Sequence, residues 1–99
     1  EVDFVTDGAR ACRIEGGSSL MPQVTALGCS LTCLVGAFAA ARPGAPFEAT
    51  ISALAMFAVA GEEAARVTDG PGSFSWRFLD ALAAIDGAAI DNNARVRML

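Results

Sequence analysis

Cys29 is the residue of this chain best placed to act as a base or a nucleophile. It follows the loop VTALG and precedes an apolar run in which the spacing of Leu31, Leu34, Val35 and Phe38 predicts a helix, closed by Arg42 and stopped by Pro43. A thiol in the first turn of a helix sits beside unpaired backbone N–H groups and the positive end of the helix dipole, which favours its thiolate. The same groups attract phosphate, so the stretch 24–41 points to anion chemistry. A free cysteine there also serves as a small apolar core residue, and that alternative stands beside the functional one. Cys33, one turn later on the same face, is expected in the core.

Other candidates carry weaker signals. A metal site on Cys29 and Cys33 needs more ligands, and Cys12 is the only other soft one. Asp7 is a candidate metal or catalytic carboxylate, but Asp7-Gly8 suits a hairpin turn better. Glu62 and Glu63 are adjacent on a helix and point different ways, as at a solvated helix end. Trp76, beside Arg77, has the shape to stack on a ring, although partial burial in the core is the simpler expectation.

The elements that must position Cys29 follow from pattern. Val2 to Val5 and residues 11–14, with Cys12 and Ile14 on one face and Arg13 on the other, read as a β-hairpin around Asp7-Gly8. Gly16-Gly17-Ser18-Ser19 breaks the second strand, and Leu20-Met21-Pro22 runs on as an extended loop into the Cys29 stretch. A second helix is expected over residues 47–66, antiparallel to the first, with Glu48 in its first turn. A third is expected over residues 74–86, capped by Ser73, with Phe74, Phe78, Ala81, Leu82 and Ile85 inward and Gly87 ending it. Residues 88–99 form at most one more short helix. The fold class is α/β, an N-terminal β-hairpin followed by three or four packed α-helices.

Composition narrows the chemistry. With no His, the Ser-His-Asp and Cys-His arrangements are excluded. A hydrophobic content of 54% against 18% charged residues excludes disorder. The net charge of −4, with scattered Arg as the only cation, argues against a nucleic-acid partner. Three cysteines without disulfide spacing suit a reducing cytoplasm. Residues 16–41 and 49–61 carry no charge, which predicts two helices apolar nearly all round and therefore buried on every side. A chain of 99 residues that starts without Met cannot cover both, so further sequence or neighbouring subunits are expected to do so. Membrane spans are disfavoured: Pro22, Gln23, Gly28, Ser30 and Thr32 interrupt the first run, and the second is too short for a bilayer.

Five collinear pieces, EVDFVTDG, VTALGCSLT, FEATISALAMFAVAGEEAA, GPGSF and FLDALAAID, resemble the C-terminal part of hydroxyethylthiazole kinase, a thiamine-pathway family of the ribokinase-like superfamily. The resemblance implies that residues 1–99 are the C-terminal segment of a single ribokinase-like kinase domain, incomplete and inactive alone. It implies ATP-dependent, Mg²⁺-dependent phosphorylation of the hydroxyl of 4-methyl-5-(2-hydroxyethyl)thiazole by a cytoplasmic homotrimer with interface active sites. It also implies an anion hole at Ala26, Leu27, Gly28 and Cys29, with Ala26 against the substrate and Cys29 taking the substrate's proton. The family pattern has Gly-Thr where this chain has Ala26-Leu27, a departure that adds a methyl and removes a hydroxyl. Two other readings remain: a hydroxymethylpyrimidine kinase-like enzyme, which shares a Gly-Cys loop, and a non-catalytic oligomerising scaffold derived from the kinase fold.

Overall fold

The computed structural model describes all residues, Glu1–Leu99. Strands β1 (Val2–Thr6) and β2 (Ala11–Glu15) pair antiparallel, with Phe4 opposite Arg13 and Val5 opposite Cys12. The pleat sends Val5, Cys12 and Ile14 to one face, where all three are buried, as the alternation predicts. The connection runs over Asp7 to Arg10, longer than a two-residue turn. Asp7 organises it: Oδ1 accepts from the N–H groups of Ala9 and Arg10 at 2.9 and 2.7 Å. Asp7 is thus the turn former that the sequence favoured.

Helices α1 (Leu27–Ala41) and α2 (Pro46–Ala65) follow, packed on each other. Between them the N–H of Arg42 donates to the Phe38 carbonyl at 3.1 Å, and Pro46 opens α2, where its missing N–H has no helical role. Alanine, the strongest helix former, recurs through α2 and allows close approach on every side. Ten of the chain's 15 buried residues lie on this helix.

Helix α3 spans Pro71–Ala84, three residues earlier than expected. Gly70 in extended backbone is its N-cap and Pro71 its first residue, while the Ser73 hydroxyl donates to the Gly70 carbonyl at 3.4 Å instead of capping. Phe74 and Phe78 are fully buried, as predicted, and stack with ring centroids 5.7 Å apart. Phe57 of α2 meets Phe78 edge to face at 4.7 Å, and Ala60 and Ala64 complete that cluster. A second cluster joins Val5, Cys12 and Ile14 of the sheet to Phe47 of α2.

Beyond α3 the structure corrects the sequence reading twice. Gly87 begins a helix instead of ending one: α4 (Gly87–Asn93) is capped by Asp86, whose carboxylate accepts from the Ala89 N–H at 2.8 Å. Residues 95–98 are not helical. Arg95–Met98 form β3, antiparallel to β2, giving a three-stranded sheet in the order β1-β2-β3. Trp76 is likewise corrected: it is 52% exposed, with the Arg77 guanidinium 4.4 Å from the ring centre, because it lies on the α3 face opposite Phe74 and Phe78.

Ion pairs fasten the layers. Arg10 donates to Glu48 at the start of α2 at 2.8 Å, and its guanidinium lies 4.4 Å from the Phe47 ring centre. Arg95 of β3 pairs with Glu62, and Arg66 with Glu63. The two glutamates therefore serve separate contacts, in keeping with their divergence along the helix.

Candidate active site at the start of α1

The approach to α1 is a compact loop. A single 3-10 turn, Met21–Gln23, is closed by Met21 N–H to the Ser18 carbonyl at 3.0 Å and Gln23 N–H to the Leu20 carbonyl at 3.1 Å. Leu20, Met21, Val24 and Leu27 anchor this segment on the phenylalanine cluster of α2 and α3.

At Ala26 the backbone turns left-handed, with φ 64° and ψ 13°, the one non-glycine residue of the chain with a positive φ. An L-residue there costs about 1 kcal/mol from the contact of Cβ with the backbone. Gly is the residue that sits there freely. The first helical bond runs from Ser30 N–H to the Ala26 carbonyl at 3.0 Å, and the Ser30 hydroxyl adds a second bond to that carbonyl at 3.1 Å. The N–H groups of Leu27, Gly28 and Cys29 have no acceptor, and no side chain caps them.

The four predicted site residues separate by role. Ala26 and the exposed Cys29 line one open groove of roughly 490 Å³ with Ser30, Cys33, Leu34, Ala37 and Leu82. Gly28 is exposed, with open space where a Cβ would stand. Leu27 turns its side chain into the core and offers the site only its N–H. Cys33, expected in the core, is exposed instead and lines the groove. The reason is that α1 has no buried residue at all, so helical spacing puts Cys33 on the face that nothing here covers.

No carboxylate lines this groove, so an anion arriving at the open amides meets no like charge. A resident divalent cation does not fit the side chains present: no three His, Cys, Asp or Glu groups come together anywhere in the chain. No helix is long and apolar enough to cross a membrane. A second hollow of roughly 460 Å³ lies towards the far end of α1, between Phe38, Ile51, Ile90 and Val96, and holds none of the candidate residues.

The architecture places the chain in a class first, that of mixed α/β segments with helices packed on an antiparallel sheet. The solved hydroxyethylthiazole kinase structure from Pyrococcus horikoshii OT3 superposes with a TM-score of 0.92 at 39% identity, over 99% of this chain and 38% of that one. The profile of the hydroxyethylthiazole kinase family matches residues 1–87, and the chain belongs to that family. Among similar curated proteins, the hydroxyethylthiazole kinase of Rhizobium rhizogenes is 78% identical over 95% of this chain, and that of Cereibacter sphaeroides is 63% identical over 96%. The chain spans 35% and 36% of those two relatives.

Proposed function

We propose that this segment supplies the phosphoryl-binding end and the base of a kinase that phosphorylates the hydroxyl of 4-methyl-5-(2-hydroxyethyl)thiazole from ATP. The observation that carries the reading is the coincidence, at one helix start, of three open backbone amides and an exposed thiol in the same groove. The amides of Leu27, Gly28 and Cys29 stabilise the charge that spreads over a transferring phosphoryl group. Cys29 receives the proton of the attacking alcohol, and Ala26 forms the wall that the alcohol approaches. ATP supplies the phosphoryl group. Mg²⁺, for which these residues offer no ligand set, belongs with the nucleotide phosphates. A homotrimer in the cytoplasm completes the proposal, since the uncovered α1 needs a neighbour and its thiols need a reducing compartment.

The test is ADP release by the full-length enzyme carrying this segment, with ATP, Mg²⁺ and the thiazole alcohol, beside its Cys29→Ala variant. Turnover that falls about 10²-fold or more in the variant, in line with the loss of a general base, supports the assignment. An intact enzyme that never turns over would instead favour the second reading, a scaffold that has left catalysis. One feature speaks for that scaffold: Leu27 stands where the family pattern has a threonine hydroxyl, and its side chain is committed to the core.

A further inference from the structure

On the path into α1, a methionine side chain is seated between two glycines. Gly61 is buried on α2, and a Cβ built there would come within 2.6 Å of the Met21 sulfur, 3.3 Å of its Cε and 3.5 Å of the Gly17 Cα. Gly17, with φ +83°, faces the same sulfur from the loop side, and a Cβ there would stand 3.0 Å from it. The Ser18 N–H donates to that sulfur at 3.4 Å. The Met21 thioether thus fills a slot that Gly61 opens by lacking a side chain and that Gly17 borders closely from the loop side.

We infer that Met21, seated between Gly17 and Gly61, is the clasp that positions the start of α1, so that Met21 and Gly61 are positioning residues for the open amides and the Cys29 thiol. The inference rests on the kinase reading above and adds to it the part of α2 that sets the geometry. The mechanical link is short. Met21 heads the 3-10 turn, its carbonyl accepts from the Val24 N–H at 3.2 Å, and Ala26 follows two residues later. Residues 18–24 are bonded to one another, so a push on the thioether moves the turn as a unit. Displacements of about 1 Å at reacting groups cost up to about 10²-fold in rate.

The experiment uses the full-length enzyme and two variants, Gly61→Ala and the double variant Gly61→Ala with Met21→Val. Valine lacks the sulfur and Cε that the new methyl would strike. In folded Gly61→Ala, kcat is expected to fall about tenfold while the KM for the alcohol moves less than about threefold. The second substitution is expected to restore most of the loss, which a general weakening of α2 would not allow. An unchanged kcat in Gly61→Ala overturns the inference, since the thioether has then swung aside without moving the loop. A loss that Met21→Val fails to relieve overturns it equally. Should the parent enzyme show no turnover, the kinase reading fails, and amide exchange still decides the clasp. Faster exchange at Val24 and Ser30, whose N–H groups are bonded to the Met21 and Ala26 carbonyls, in Gly61→Ala, reversed in the double variant, supports it; equal rates in all three proteins reject it.

Discussion

Helices α1 and α2 pack side by side and come from sequence of much the same kind, yet α2 holds ten buried residues and α1 none. Apolar content alone therefore does not decide burial. Position does: α2 lies between the sheet, α1 and α3, so most of its circumference meets a neighbour and a stripe through Glu48, Ser52 and Glu63 stays exposed. α1 touches the rest of the chain along one side, through Leu27, Leu31 and Leu34, and leaves Cys29, Cys33 and Ala37 on an open groove. α2 carries the fold, and α1 carries the candidate site at a surface that the rest of the chain leaves open. The chain's share of its relatives' length, little more than a third, agrees with that division.

The contrast can be broken by substitution. Phe78→Ala, which empties the cluster that α3 shares with α2, is expected to lower unfolding free energy by about 3–5 kcal/mol, read by denaturant melts. A loss below about 1 kcal/mol would mean that α2 is not the structural centre. Ala26→Gly removes the strain of a left-handed L-residue and is expected to raise stability by about 0.5–1 kcal/mol. Destabilisation there would show that the turn at the head of α1 is not held as described. Cys33→Ser on the open face should stay within about 0.5 kcal/mol in this segment, and a larger cost would show that α1 is covered after all.

The smallest effect concerns the hairpin. Backbone N–H groups of Arg10 and Ala9, then the Arg10 guanidinium, lower the Asp7 pKa from 3.8 to about 2. The backbone N–H of Glu48, then Arg10, lowers the Glu48 pKa as well. Carboxyls depressed by folding bind fewer protons folded than unfolded, so they stabilise above the unfolded value and lose that contribution as pH falls. Stability should accordingly be level above about pH 5 and decline from there towards pH 2, and Asp7→Asn should flatten part of the decline in an acid titration. An unaltered acid limb would remove Asp7 from the account.

Much of this fold was legible because local physics settles it. Cys12 and Ile14 alternate with charged neighbours, Phe74 and Phe78 lie one turn apart, and Pro43 stops a helix in any context. The candidate site was legible in the same way, as a loop meeting a helix start at Ala26–Cys29. Burial was not, since it depends on what lies across the gap: hence the exposed Trp76 and Cys33, both apolar by type. Asp86-Gly87 was ambiguous, because glycine ends helices and aspartate begins them, and here the aspartate won. The alternation Arg95-Val96-Arg97-Met98 was a strand signal in plain view, too short to outweigh the helical pattern before it. Arg10 and the Met21 slot join residues remote in sequence, which no window along the chain reveals.

The sheet has a consequence in time. β1 and β2 are neighbours along the chain and can zip together in microseconds, whereas β3 pairs Arg95 with Glu15 across almost the whole length of the chain. Until α2 and α3 have collapsed and brought it home, β2 presents a bare row of peptide groups. While that edge is open, Arg13 and Glu15, charged residues on β2, stand where they discourage a second chain from pairing there first.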